Sequence, residues 1–355
     1  MIALHAPEKP DITMTVNNAD TDQPEQKSAQ ARAHSNIALV KYWGKRDPEL
    51  NLPATGSVSV TLDALYTQTS VSFDTHLAGD HFRFDKADWQ PAEPRLTRFL
   101  DRVRAMTDSA DSAWIESYNS FPTGAGLASS ASGFAALALA ATRAAGLNLA
   151  PWKLSVLARQ GSGSAARSIF GGLVEMRRGA RADGHDAHAV QLLGPDQWPL
   201  SVVVAITDNR SKTVGSTEGM TRTAETSPYF SGWTDSAERD LEDMRRAIDT
   251  RDFDALAEIC EHSCLKMHAL MMSGRPGLIY WNPATTAAIQ AVRELRAQGV
   301  PVCFTIDAGP QLKAICEPSA AGTVGRALES IPGVLETRHS ALGPDAYSLE
   351  SRACI

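Results

Sequence analysis

Between Ser120 and Gly133 the chain reads Ser-Phe-Pro-Thr-Gly-Ala-Gly-Leu-Ala-Ser-Ser-Ala-Ser-Gly and continues without a break into an alanine-rich run to Ala145. A loop of small residues feeding straight into a helix narrows the fold to those that present a helix N-terminus at the end of a turn. Gly124 and Gly126 let the backbone turn tightly and approach a ligand, and the helix start offers N–H groups without intrahelical acceptors at its positive end. Ser129 and Ser130 add hydroxyls. The expected occupant is an anion, with phosphate first. Taken alone, the segment fits an ordinary capped helix equally well, since serine is a common N-cap and glycine a common loop residue.

A chain of 355 residues is long enough for two domains sharing a cleft. With 43% hydrophobic and 21% charged residues the composition is that of a soluble globular protein. No run approaches the roughly 18 apolar residues of a membrane span. The formal charge of −7 argues against a nucleic-acid partner and makes any basic cluster conspicuous. Five cysteines without a CxxC pair do not form a disulfide framework and suit a reducing, cytoplasmic setting. Residues 1–28 are polar, lack the pattern of a signal peptide and read as a disordered arm, with Met14 a second candidate start.

Asn36 to Val40 is a short apolar run; Val58 to Leu62 and Thr67 to Phe73 read as two paired strands. A helix near Pro94 to Met106 precedes a strand at Trp114 to Tyr118, which feeds the glycine loop and a helix from about Ala131. A further helix begins at Pro151, Arg159 to Arg167 is a second small-residue loop, and Leu173 to Met176 is a strand. After the polar stretch Gly179 to Asp196, a boundary near Trp198 opens a second unit. It holds a strand at Leu200 to Thr207, helices at about Ala237–Thr250, Phe253–Met272 and Ala284–Gln298, and strands at Pro301–Ile306 and Leu312–Cys316.

Three segments carry chemistry. Lys41-Tyr-Trp-Gly-Lys45 with Arg46 gathers three cations and an aromatic pair in six residues, although a surface patch of packing aromatics and snorkelling lysines has the same composition. Asp307-Ala-Gly-Pro310 places a carboxylate at the end of an apolar strand, where a turn-forming aspartate is equally common. Gly161-Ser-Gly-Ser-Ala-Ala-Arg167 joins hydroxyls and flexible backbone to a guanidinium able to grip a carboxylate or phosphate. Cys260, His262, Cys264 and His268 lack zinc-pair spacing and read as a packing face.

In order, Asn36-Ile-Ala-Leu-Val-Lys-Tyr-Trp-Gly-Lys-Arg-Asp47, Asn51-Leu-Pro53, Ser59-Val-Thr-Leu62, Phe121 to Ala131, Gly161 to Ser168, Gly215-Ser-Thr-Glu-Gly-Met220 and Thr305 to Pro310 resemble the diphosphomevalonate decarboxylase family of the GHMP kinase superfamily. The resemblance spans about residues 31–317. Its KYWGK and GSGSAxRS segments mark the decarboxylases rather than GHMP kinases at large. The sequence departs from the family pattern at Ala54-Thr-Gly-Ser57, Gly124, Ala166 and His34, none of which removes a charged group.

The resemblance implies a two-domain α+β fold of the GHMP kinase type, residues 29–197 forming an ATP-binding domain and 198–355 a second α+β domain, with the active site in the cleft between them and a homodimer as the assembly. It implies conversion of mevalonate 5-diphosphate to isopentenyl diphosphate at the expense of ATP, in isoprenoid biosynthesis. Asp307 would orient and deprotonate the 3-hydroxyl beside Lys41. Arg167, with Ser162, Gly163 and Ser164, would hold the carboxylate; Tyr42 and Lys45 the diphosphate; Ser216 and Thr217 would border the substrate. Gly124, Ala125, Gly126, Leu127, Ala128, Ser129 and Ser130, with Lys212, would cradle ATP, and Mg²⁺ would be bound through the ATP phosphates with Ser129 or Ser130. Rival readings are a phosphomevalonate decarboxylase, a mevalonate 3-kinase and a non-catalytic nucleotide-binding protein.

Overall fold

The computed structural model describes residues 28–121, 129–210 and 212–349. The arm expected before residue 28 and the Gly124–Ala128 part of the glycine loop lie outside them.

Two long strands organise the first half. β1 (Ser28–Val40) and β4 (Ser57–Asp74) pair antiparallel, with a register shift between His34 and Asn36. The shift re-aims their side chains. Ala31, Ala33, Val71 and Phe73 face one core, whereas Ile37, Leu39, Val58, Val60 and Leu62 face another. The two strands expected at 58–62 and 67–73 are thus parts of one strand that pairs with β1, because the Asp63-Ala-Leu-Tyr66 stretch between them has no glycine or proline to turn the chain.

A small ladder, β2 (Lys45–Asp47) with β3 (Leu52–Pro53), sits between these strands in sequence. There follow β5 (His81–Phe84), β6 (Gln90–Pro91), α1 (Pro94–Arg104), β7 (Ser112–Asn119), α2 (Ser129–Ala144), α3 (Pro151–Gly161), a 3-10 turn over Gly163–Ile169, β8 (Leu173–Met176) and β9 (Ala189–Leu193). On the free edge of β4, β7 pairs with Thr67–Asp74 and β8 with Ser57–Val60. The alanine-rich α2 lies in the core of this sheet, its small side chains letting the helix approach closely. The Arg159–Arg167 segment, expected as a loop, is the end of α3 and the 3-10 turn. Its Ala165 and Ala166 are fully buried, and the Ala165 N–H donates to the Ser162 carbonyl at 2.8 Å, so the small residues serve close packing rather than an open loop.

The second half contains β10 (Ser201–Ile206), α4 (Ser216–Thr226), α5 (Phe230–Thr250), α6 (Phe253–Met272), α7 (Pro283–Ala297), β11 (Val302–Ile306), β12 (Leu312–Cys316), α8 (Ala321–Glu329) and β13 (Glu336–Ala341). Its sheet runs β11-β12-β10-β13 and is covered on both faces. Along β10, Val202, Val204 and Ile206 point to a core shared with β1 and β4, and Val203 and Ala205 to a core shared with α7 and α8. The chain then returns to the first sheet, where β14 (Tyr347–Leu349) pairs with β1.

α5 and α6 carry Leu241, Met244, Ile248, Leu256 and Cys260 into the shared core. Arg245 of α5 grips Glu175 of β8 through two hydrogen bonds at 2.8 and 2.7 Å. Among the described residues no helix is long and apolar enough to cross a membrane.

Leu256 is fully buried in this joint core. Leu256→Ala is expected to cost about 2–5 kcal/mol in urea unfolding; a loss below about 1 kcal/mol would show that this core does not hold the halves together.

Candidate active site

Asp307 is delivered by the second sheet and Lys41 by the first. β11 ends at Ile306, and the turn that follows is closed by the Gly309 N–H donating to the Asp307 carbonyl at 2.8 Å. The end of β1 is clamped to β11: the Thr305 hydroxyl donates to the Ala38 carbonyl at 3.0 Å, and the Lys41 N–H donates to Ser263 of α6 at 2.9 Å. Lys41 Nζ thereby meets Asp307 Oδ1 at 2.7 Å. On β12, Lys313 lies opposite Thr305 and places its Nζ 3.5 Å from Asp307 Oδ2. Burial pushes the Asp307 carboxyl upward, but Lys41, Lys313 and Arg167 outweigh it and hold it well below the usual carboxylate range.

Cys260, Cys264 and His268 recur every fourth residue on α6 and face β11. The Ile306 N–H donates to Cys264 Sγ at 3.2 Å, and His268 Nε2 lies 3.2 Å from the Ile306 carbonyl. His262 sits on the exposed side of the helix. This face therefore supports the strand that carries Asp307. Burial pushes the His268 imidazole down to about 3.

Lys41 to Lys45 is not a surface patch. Trp43 is 1% exposed, its Nε1 donates to Thr223 at 2.8 Å, and its carbonyl accepts from Trp233 at 3.0 Å. Gly44 then turns at φ +97°, which sends Lys45 into the cleft. Burial and the neighbouring Arg95 pull the Lys45 ammonium below its ordinary value. The Tyr42 hydroxyl is buried and has no partner among the described residues, and burial raises its pKa to about 12. Gly163 makes room for it, since a Cβ there would lie 2.2 Å from the Tyr42 oxygen.

Arg167 of the 3-10 turn is 2% exposed. It donates from Nε to Asn36 at 3.1 Å and from Nη1 to Ser57 at 2.5 Å. Burial lowers it to about 10, which leaves it charged at neutral pH. Lys212 donates to Ser216 at 2.8 Å and to the Ala308 carbonyl at 3.1 Å.

These groups meet in one cleft of about 470 Å³, lined by Tyr42, Lys45, Ser129, Ser130, Ser162, Gly163, Ser164, Arg167, Lys212, Ser216, Thr217 and Asp307. Lys41 lies beneath Asp307. Of the expected nucleotide loop, Gly124, Ala125, Gly126, Leu127 and Ala128 fall outside the described residues. The charged lining is Lys45, Arg95, Arg167 and Lys212 against Asp307 alone, in a chain of net charge −7. A second hollow of about 210 Å³ shares Ser129 and Ser130 and is walled by Phe82, Leu96, Ile115, Phe134 and Leu137.

Lys313, Asn36, Ser57 and Arg95 also belong to the site, beyond the residues expected from the sequence. Lys313 did carry a signal: an ionisable residue inside the apolar strand Leu312-Lys-Ala-Ile-Cys316 needs a partner when buried. Arg95 carried another, as a cation in the first turn of a helix, where the dipole disfavours it.

An α+β chain of the GHMP kinase-type fold, with a cationic cleft lined from both of its larger sheets, belongs among enzymes that act on small phosphorylated compounds. Its sequence matches the diphosphomevalonate decarboxylase-like N-terminal domain over residues 33–189 and the mevalonate 5-diphosphate decarboxylase C-terminal domain over residues 202–340, and the chain belongs to that family. It is 38% identical to diphosphomevalonate decarboxylase mvd1 of Aspergillus fumigatus over 79% of this chain and 75% of the relative. The mevalonate diphosphate decarboxylase from Staphylococcus aureus superposes with a TM-score of 0.86 at 36% identity, covering 92% of this chain and 98% of that one. A structure described as MDDEF in complex with MVAPP, AMPPCP and magnesium matches with a TM-score of 0.84 at 41% identity, covering 91% and 99%.

His268 stays neutral in the fold, so below pH 6.5 the unfolded chain binds a proton that the folded one refuses. Stability falls as pH drops from about 6.5 toward 4, and the depressed Asp307 extends the loss in the same direction at lower pH. In denaturant titrations between pH 6 and 4.5, His268→Gln is expected to remove about one proton from the slope, or about 1.4 kcal/mol per pH unit. An unchanged slope would rule His268 out as its source.

Proposed function

We propose that this protein converts mevalonate 5-diphosphate, with ATP, into isopentenyl diphosphate, ADP, phosphate and carbon dioxide. The observation that carries the reading is the cleft in which four cations surround one ionised carboxylate. A polyanionic substrate offsets the cations, and the carboxylate selects a hydroxyl on it. Family membership and the relative bound to MVAPP, AMPPCP (the methylene analogue of ATP) and magnesium support the same choice.

The tertiary 3-hydroxyl is a poor leaving group. Phosphorylation turns its departure into loss of phosphate; as the C3–O bond breaks, the C1–C2 electron pair becomes the C2–C3 double bond and C1 leaves as carbon dioxide. Asp307, held ionised by its cations, is a weak base. It first accepts the hydrogen bond of the 3-hydroxyl and orients it, then takes the proton late, as the oxygen bonds to phosphorus. Lys41 stabilises the transferred phosphoryl group. Arg167, fixed by Asn36 and Ser57, holds the substrate carboxylate with Ser162, Gly163 and Ser164, while Ser216 and Thr217 border the substrate. Tyr42 and Lys45 take the diphosphate, which supplies the missing partner of the Tyr42 hydroxyl.

ATP phosphates lie at the start of α2 with Lys212 nearby, and the apolar hollow beside Ser129 and Ser130 receives the base. Ser129 or Ser130, whose hydroxyl oxygens suit a hard cation, would hold Mg²⁺ together with the ATP phosphates, and the ion would neutralise phosphate charge. The protein is proposed to act as a homodimer in the cytosol; the free, buried Cys260, Cys264, Cys303 and Cys316 support the reducing compartment.

Purified protein with ATP and Mg²⁺ is expected to release ADP and carbon dioxide in equal amounts from mevalonate 5-diphosphate, and neither from mevalonate nor its 5-phosphate. ADP without carbon dioxide would make it a 3-kinase; release from the monophosphate would move the substrate; silence would point to a nucleotide-binding protein. Asp307→Asn is expected to lower turnover by about 10²–10⁴-fold with ATP affinity within a few-fold of wild type, and near-normal turnover would remove Asp307 from the chemistry.

A further inference from the structure

Along β12, Leu312, Ala314 and Cys316 point into the core with α7 and α8, whereas Ile315 points into the core between the two sheets. Lys313 shares the face of Ile315 and is fully buried. A leucine or isoleucine there would avoid the cost of desolvating an ammonium. The carboxylate within reach is Asp307, whose two oxygens are divided between two lysines: Oδ1 at 2.7 Å from Lys41 and Oδ2 at 3.5 Å from Lys313.

The two lysines are mounted differently. Lys41 follows the end of β1, on the segment that leads into the cleft, beside the turn that presents Asp307. Lys313 sits mid-strand, hydrogen-bonded through its backbone register to both β10 and β11, so its Cα moves only if the sheet moves. When Lys41 turns to a transferred phosphoryl group, the Asp307 carboxylate, half-buried in the cleft wall, loses its partner on Oδ1, and Lys313 is the cation that stays in contact with it on Oδ2. We infer that Lys313 is a positioning residue, a fixed second ammonium that keeps the Asp307 carboxylate ionised and oriented while Lys41 is released to the reacting phosphate. This rests on the role proposed above for Asp307 and Lys41.

The other charged or titratable groups around Asp307 are Arg167 on the 3-10 turn, Lys212 before α4, and Cys264 and His268 on α6. Arg167 and Lys212 are cations bonded elsewhere, and the thiol and imidazole are neutral at pH 7, so neither kind replaces Lys313 on Oδ2.

Lys313→Met fills the same volume with an apolar chain, and Lys313→Gln keeps polarity without charge. Two measurements separate this inference from the reaction assigned above. In ligand-free protein with ¹³C-labelled aspartate, the Asp307 carboxyl, identified by its absence in Asp307→Asn, is expected to titrate about 1 pH unit or more higher in both variants than in wild type. An unmoved resonance overturns the inference whatever the enzyme acts on. In turnover, the acidic limb of the kcat/KM profile is expected to shift upward by a similar amount while KM for ATP stays within about twofold. Lower thermal stability with an unshifted limb would make Lys313 a structural residue and would also overturn it.

Discussion

The contact between Lys41 and Asp307 joins the ends of two strands from different sheets, and the cleft exists only while those ends stay together. An ion pair of this kind contributes little net stability, because desolvating both charges offsets most of their attraction. The strands are therefore held by other means. The Thr305 hydroxyl bonds the end of β1, Ser263 bonds the Lys41 backbone, and the core that takes Ile37 and Leu39 from one sheet and Val202 and Val204 from the other fills the space behind. The pair is a consequence of that packing.

A protein of net charge −7 concentrates positive charge in one concave place. Low-dielectric walls strengthen that field and raise the local concentration of anionic ligands. Shape matters as much as charge. Tyr42 enters because residue 163 has no side chain, and Lys45 reaches the cleft because Gly44 takes a left-handed conformation. Buried Arg167 keeps a fixed aim because Asn36 and Ser57 occupy part of its hydrogen-bonding capacity.

Elements with strong local signals were legible. Asp252 caps α6 by accepting from the Ala255 N–H, Pro283 opens α7 after the capping box of Asn282, and β11 and β12 are apolar apart from Thr305 and Lys313. The elements without an expectation are short or polar. β9 lies inside a segment rich in glycine and aspartate, β13 is half exposed, α4 is polar, α8 has nine residues interrupted by two glycines, and β14 has three residues whose partner lies at the opposite end of the chain. Strand β4 was divided too finely, because alternation shows that residues are extended without showing what they pair with.

By itself the sequence determined the local chemistry: which residues are cations, hydroxyls and the carboxylate, where glycine allows a sharp turn, and the order of motifs that marks the family. Those depend on residue type and near-neighbour spacing. Residues 41 and 307, 266 positions apart, were brought together in the sequence only by the family resemblance, and the tertiary structure supplied the contact itself; it alone decided that a lysine inside an apolar strand faces the same carboxylate and that the candidate loop at 159–167 is the end of α3 and a 3-10 turn. Such contacts depend on how sheets and helices exclude water together, and that cooperative packing leaves no trace in the spacing of residues along the chain.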